Sequence, residues 1–243
     1  MTIKEQSFTV KELDSLVMTV ELTLVSIVQG VALSVLVAPA VAAVTALDFA
    51  LLPYVVTGLV VILLFWSRSL LHTFTVIRWP LEFAHNFLYI ASTLVESIAF
   101  SQLASPARWF ALTAAYGVFI WVLFAVDLRM IRRRLAEYNL PGALALLRAV
   151  EREQLLNVRL LMPTAVLFCA AVAVVIRLYP ELFVARRLHV AFGALQTLFA
   201  LAYLVYSTRF YRRLLPLIVA AQYEWNGEEM PKETVKSGRR TMN

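Results

Sequence analysis

Charged residues and cysteine are scarce in this chain, and both shortages narrow its class. Only 16% of the 243 residues are charged and 61% are hydrophobic, whereas soluble domains carry about 25% charged and about 45–50% apolar residues. The single cysteine, Cys169, rules out an intrachain disulfide and lies in an apolar run, where cysteine behaves as a small hydrophobic residue. The composition therefore excludes an ordinary soluble domain and indicates a membrane protein.

The motifs of soluble enzymes and of nucleic-acid-binding proteins are also missing. The sequence has no P-loop, no His-Glu-x-x-His, no Gly-x-Ser-x-Gly and no glycine-rich dinucleotide fingerprint. It has no helix-turn-helix, RNA-binding or zinc-finger pattern either. We therefore expect no catalytic residue, no cofactor and no nucleic-acid partner, although an intramembrane enzyme or cofactor-binding protein remains an alternative. The net charge of +6 is interpreted as a signal of membrane orientation.

Long apolar runs are what the sequence does contain, and a bilayer crossing takes about 20 such residues. They predict an all-α polytopic membrane protein with six transmembrane helices, in a bacterial-type inner or plasma membrane. The predicted spans are about 15–38, 49–67, 81–103, 108–130, 158–178 and 187–209. We expect an N-terminal tail over 1–14, the bundle over 15–215 and a polar C-terminal tail over 216–243.

The basic residues predict the orientation of the bundle. The "RMIRRR" cluster at 129–134 and most other Arg and Lys residues flank one set of alternate loops, so both termini are predicted to be cytoplasmic. Between spans four and five, helical periodicity indicates a cytoplasmic helix at about 135–158, with Pro141 in its first turn and a bend at Pro163. Its charges are interpreted as a solvated face, or alternatively as a docking or gating element.

A polar stripe on the third span is the most informative feature. Its members follow helical spacing and so share one face. An ionisable group inside a bilayer costs about 2.5–3.5 kcal/mol on the insertion scale, so such groups are functional candidates. Glu82 is expected near the cytoplasmic boundary, and Glu96 about 21 Å further along the helix. The stripe comprises Glu82, His85, Asn86, Tyr89, Thr93, Glu96 and Ser97.

Three further candidates lie on other spans. Glu21 is placed near the cytoplasmic end of span one, and His189 and Gln196 share a face of span six. Asp127, which precedes Arg129, is interpreted as part of a local charge pair at the membrane interface.

Metal and haem binding are weighed and not expected. Glu82 and His85 match the Glu-x-x-His element of dimetal bundles, but the sequence has no second copy. Paired histidine ligation of haem by His72 and His85 would require the chain to fold back through Pro80.

The leading hypothesis is a channel or transporter for protons or small ions. Glu96, His85 and Glu82 are the predicted relay, because a histidine beside carboxylates exchanges protons near neutral pH. Tyr89, Asn86, Glu21, His189 and Gln196 are secondary candidates. The alternative is a non-catalytic scaffold or accessory subunit of a membrane complex, docked through its basic surface. The expected partners are membrane lipid and either further copies of the chain or a larger membrane complex.

Overall fold

The computed structural model describes residues 10–75 and 83–226, and this part of the chain consists of helices and short connections without a strand. This agrees with the predicted all-α class. The seven α-helices are α1 (Val10–Thr45), α2 (Leu52–Thr75), α3 (Phe83–Phe100), α4 (Pro106–Glu137), α5 (Pro141–Leu156), α6 (Met162–Leu178) and α7 (His189–Asn226).

Five helices among the described residues are long and apolar enough to cross a membrane. They are α1, α2, α4, α7 and the continuous unit of α5 and α6. Large apolar side chains cover the outside of the bundle, as expected for a surface in contact with lipid. The shorter α3 is absent from this set. The multi-pass membrane architecture is thus supported, while six spans with cytoplasmic termini stay a prediction.

Several helices extend beyond the predicted spans. Span one was expected to end near Pro39, but α1 continues through this proline to Thr45. Inside a membrane, neighbouring helices and local adjustment satisfy the backbone groups that proline leaves free. Likewise α7 passes Pro216 and ends at Asn226, and α2 runs on to Thr75. This last extension adds two turns beyond the predicted span and carries polar residues into the bundle.

The helical connection between α4 and α6 starts at Pro141, as predicted, and contains an irregular turn close to the predicted bend. Proline at position 141 opens α5, where its missing N–H costs nothing. α5 then continues into α6 through one π-helical turn over Asn157–Leu161, just before Pro163. Proline lacks the N–H that an α-helix needs at this point, and the single π-turn beside it has the form in which π-helix mostly occurs, as one turn inside an α-helix. The cytoplasmic position of α5 remains a prediction.

The bundle is built from packed helix pairs. α4 packs on α6, α2 on α7, α3 on both α4 and α1, and α5 on α4 and α7. The connection at 46–48 leads into a short 3-10 helix (Phe49–Leu51), and the connection at 179–188 contains a π-helical turn (Glu181–Ala185). The two connections meet at one end of the bundle, where Arg187 lies 3.7 Å from Asp48. We call this the first end. At the opposite or second end, the Glu224 carboxylate near the end of α7 accepts hydrogen bonds from the Gly142 and Ala143 N–H groups at the start of α5.

Candidate functional site

Two histidines converge on one carboxylate near the second end of the bundle. Asp127 Oδ1 on α4 lies 3.1 Å from His85 Nε2 on α3 and 3.7 Å from His72 Nδ1 on α2. The two imidazole rings are stacked, with centroids 4.3 Å apart and planes 14° from parallel. All three side chains are buried. We call these residues the histidine–aspartate cluster.

The structure changes the interpretation of Asp127. The sequence suggested a charge pair with Arg129 at the interface, but the Arg129 side chain is exposed and Asp127 points into the bundle. Two residues along a helix turn the side chain by about 200°, so these neighbours cannot share a face. Besides the histidines, Asp127 accepts a hydrogen bond at Oδ2 from Gln154 Nε2, with a separation of 3.2 Å.

A buried polar network connects the cluster with α5 and α7. Arg68 on α2 donates to both carboxylate oxygens of Glu153, and its Nη2 also donates to Gln154 Oε1 at 3.1 Å. Asn157, in the π-turn, donates to Glu153 at 2.8 Å and accepts from the Tyr203 hydroxyl at 3.0 Å. Since Gln154 also bonds Asp127, hydrogen bonds run without a break from α7 to the cluster.

Four members of the predicted stripe on α3 face the interior of the bundle. His85, Tyr89, Thr93 and Glu96 are all buried, while Phe87 and Leu94 of the same helix are exposed. The stripe therefore packs inside the bundle and the apolar side of α3 faces outward.

Individual members of the stripe have identifiable neighbours. The Tyr89 ring lies edge-on to His85, with centroids 4.5 Å apart. Glu96, which is 1% exposed, accepts a hydrogen bond from Gln29 Nε2 of α1 at 3.3 Å. Its other carboxylate oxygen has no hydrogen-bond partner among the described residues.

The remaining predicted candidates separate into three groups. Glu21 is buried on α1 beside the half-buried Asn86, and it interacts electrostatically with His85 and Asp127. Glu82 lies outside the described residues.

His189 and Gln196 lie toward the first end, away from the cluster. His189 Nδ1 is 2.7 Å from the Tyr54 hydroxyl of α2. Gln196 Oε1 accepts from the Trp109 indole N–H of α4 at 2.8 Å, and its amide nitrogen donates to Cys169 Sγ at 3.4 Å. These two residues tie helices together at a distance from the histidine–aspartate cluster.

An elongated cavity of about 350 Å³ lies inside the bundle. It lies between the α2–α7 pair and the α4–α6 pair. On α2 its lining extends from Thr57 to Thr75, or about 27 Å at 1.5 Å per residue. His72 and Asp127 line it toward the second end and Gln196 toward the first. We call this cavity the slot.

The histidine–aspartate cluster offers the ligand types of a metal site, because one nitrogen or oxygen of each residue lies within 4.8 Å of the others. A transition metal requires imidazole nitrogens about 2.0–2.1 Å away, with each lone pair in its ring plane. The nearly parallel rings, however, direct their lone pairs along lines that do not meet. A metal would require one ring to tilt, and haem ligation would require the rings to sit on opposite sides of an iron. A proton shared between His85 and Asp127 involves atoms that are 3.1 Å apart. These atoms do not have the orientation of a hydrogen bond, so the transfer requires the imidazole to reorient.

No protein-family model, curated protein or solved structure matches this chain.

The sequence signalled part of this site. His85 was a predicted relay residue, and the pairing of His72 with His85 was considered only for haem. Arg68, Glu153, Gln154 and the role of Asp127 were missed. Each of these residues has a charged or amide side chain near a predicted membrane boundary, on the side of its helix that faces the bundle. Solvated residues are also frequent near such boundaries, so this pattern alone does not identify a buried site.

Proposed function

We propose that this chain is a membrane channel or transporter that moves protons, with the histidine–aspartate cluster as its central proton-transfer site. The observation that carries the proposal is the approach of two buried imidazoles to one buried carboxylate oxygen. Histidine is the side chain whose ordinary pKa lies closest to neutrality. A carboxylate that faces two imidazoles can stabilise a proton on either ring, which suits transfer.

The electrostatic setting supports a site that changes its protonation. The groups that face the cluster are Glu21 from α1, Arg68 from α2, Tyr89 from α3 and Gln154 from α5. The Arg68 charge is balanced by Glu153. The cluster therefore has its own carboxylates to stabilise a protonated imidazole, and buried charges of this kind are tolerated only when they are paired.

The buried face of α3 supplies a route away from the cluster. His85 and Glu96 are 11 residues apart, about 16 Å along the helix, and Tyr89 and Thr93 lie between them on the same buried face. Gln29 extends this face from α1, since its amide nitrogen lies 3.5 Å from the Thr93 hydroxyl and 3.3 Å from Glu96. In this proposal Glu96 acts on the side of the first end and the cluster on the side of the second.

Proton flux into proteoliposomes that contain a pH-sensitive dye tests the proposal, with a potassium diffusion potential as the driving force. We expect Asp127→Asn to lower the flux at least tenfold, and Glu96→Gln to lower it as well. Asp48→Asn is the matched control, because this carboxylate lies in a loop and caps a short helix, a role that asparagine also fills.

The outcomes separate the proposal from its alternative. Loss of flux in Asp127→Asn with normal thermal unfolding would support the relay. Flux no greater than in empty liposomes, or equal flux in all three variants, would overturn it. If the inactive protein also purified with a stoichiometric partner, the role of accessory subunit would replace the transport function.

A further inference from the structure

We propose that the slot binds a single-tailed membrane amphiphile with an uncharged, oxygen-bearing head, such as a long-chain alcohol, whose head lies at His72. This proposal does not rest on proton transfer, although His72 also belongs to the histidine–aspartate cluster; it concerns the wall of the slot and a hydrogen-bonding group at one end. It assigns a lipid ligand to a cavity between helices, a common position for ligand sites, and the volume of about 350 Å³ lies in their usual range of about 300–1,000 Å³.

The wall of the slot matches a hydrocarbon tail. Between its two ends the lining is mainly aliphatic and aromatic, and it is contributed by α2, α4, α6 and α7. Examples are Val61, Leu64, Ile120, Phe168 and Phe199. An apolar wall about 27 Å long favours a narrow apolar chain, because burial of each methylene group is worth about 0.8 kcal/mol.

The slot has an entrance from the lipid side. α6 packs mainly on α4, whereas α7 packs mainly on α2 and α5, so the slot separates α6 from α7. Three residues that line the slot on these two helices are exposed: Thr164, Leu195 and Phe199. Leu195 is 51% exposed and Phe199 37%. A molecule dissolved in the bilayer can therefore enter between these helices without passing through water.

The polar groups at the two ends determine where the head lies. At the first end, the oxygen and the nitrogen of the Gln196 side chain are already bonded to Trp109 and Cys169. At the second end, His72 Nδ1 faces Asp127, while its buried Nε2 has no hydrogen-bond partner among the described residues. A head group that bonds this nitrogen would satisfy a polar atom whose burial is otherwise costly.

The charges at the second end favour a neutral head. Arg68 is paired with Glu153. Asp127 lies against the two histidines, which balance its charge when one of them is protonated. An anionic or cationic head would enter an apolar cavity without an available counter-charge, which is strongly unfavourable. A hydroxyl or carbonyl oxygen requires only the hydrogen bond.

Photolabelling in nanodiscs tests this proposal, with a 14-carbon primary alcohol that carries a diazirine near its tail end. We expect labelled residues inside the slot, around Phe168 and Leu195. Ala165→Phe should abolish this labelling, because residue 165 lines the slot. Ala171→Phe is the matched control, since Ala171 is exposed on the same helix and does not line the slot.

Competition with unlabelled compounds tests the head group. Tetradecan-1-ol should compete better than tetradecane or tetradecanoate at equal membrane mole fraction. His72→Ala should raise the amount of alcohol needed for half competition roughly three- to tenfold, the effect of one hydrogen bond. Equal labelling in Ala165→Phe and Ala171→Phe would overturn the site. Equal competition by tetradecane would overturn recognition of the head, and stronger competition by tetradecanoate would overturn its neutrality.

Discussion

The ion pair of Arg68 with Glu153 offers the sharpest test of the buried network. Arg68 and Glu153 are 12% and 2% exposed, and the guanidinium binds both carboxylate oxygens. Removal of one partner from a buried pair leaves an uncompensated charge and typically costs about 3–5 kcal/mol. We therefore expect Glu153→Gln to lower the free energy of unfolding by about that amount. In this variant Gln154 can still accept a hydrogen bond from Arg68, and Asn157 can still donate one to residue 153. These bonds favour a loss near the lower end of the range of about 3–5 kcal/mol.

The double substitution Arg68→Met with Glu153→Leu distinguishes a charge effect from a loss of shape. It removes both charges and keeps much of the volume, and such replacements are often neutral or stabilising. We expect the double variant to be more stable than either single variant. Reversible unfolding in mixed micelles of increasing sodium dodecyl sulfate content gives the free energies for a double-mutant cycle.

The exposed pair of Arg132 with Glu151 provides the control for this cycle. Its atoms are 2.9 Å apart, but the side chains are 53% and 24% exposed. Surface pairs contribute about 0–1 kcal/mol, so Glu151→Gln should have a small effect. The expected result for the buried pair is a large loss in each single variant and non-additive effects in the double variant. If each single variant lowered the free energy of unfolding by less than about 1 kcal/mol and the effects were additive, the argument that this network is dry and tightly coupled would be refuted.

Two further predictions concern contacts that join helices. Glu224→Ala removes the carboxylate that caps α5 and should cost about 0.5–2 kcal/mol, with faster hydrogen exchange in the first turn of α5. Glu224→Gln should retain part of the cap, and unchanged exchange in both variants would contradict the role. Gln196→Leu leaves the buried indole N–H of Trp109 without its acceptor. It should lower the free energy of unfolding by about 1–3 kcal/mol, measured as above, whereas Trp109→Phe in the same background should recover part of the loss.

The sequence predicted the class of fold because hydropathy and helical periodicity act locally. Apolar runs long enough to cross a bilayer require helices, since every backbone polar group must be satisfied within the segment. The ends of the helices were less predictable. Pro39 and Pro216 are natural helix termini by local rules, yet both lie inside helices, and local rules do not include the neighbouring groups that let membrane helices tolerate proline.

The histidine–aspartate cluster depended on information that periodicity does not contain. The α3 stripe could be read from spacing alone, and His85 was identified in this way. His72 and Asp127 belong to other helices, and only the packing of three helices brings them to His85. Local sequence presented Asp127 beside Arg129, whereas the rotation of about 100° per residue separates these neighbours. The site is therefore formed by contacts between residues that are far apart in the sequence.

The α3 helix shows how polar residues are organised in this bundle. His85 and Glu96 lie on a face that is buried against neighbouring helices. The opposite face presents Phe87 and Leu94, which suit contact with lipid. The polar residues of α3 therefore lie in the interior of the bundle, and they are those that the proton-transfer proposal requires.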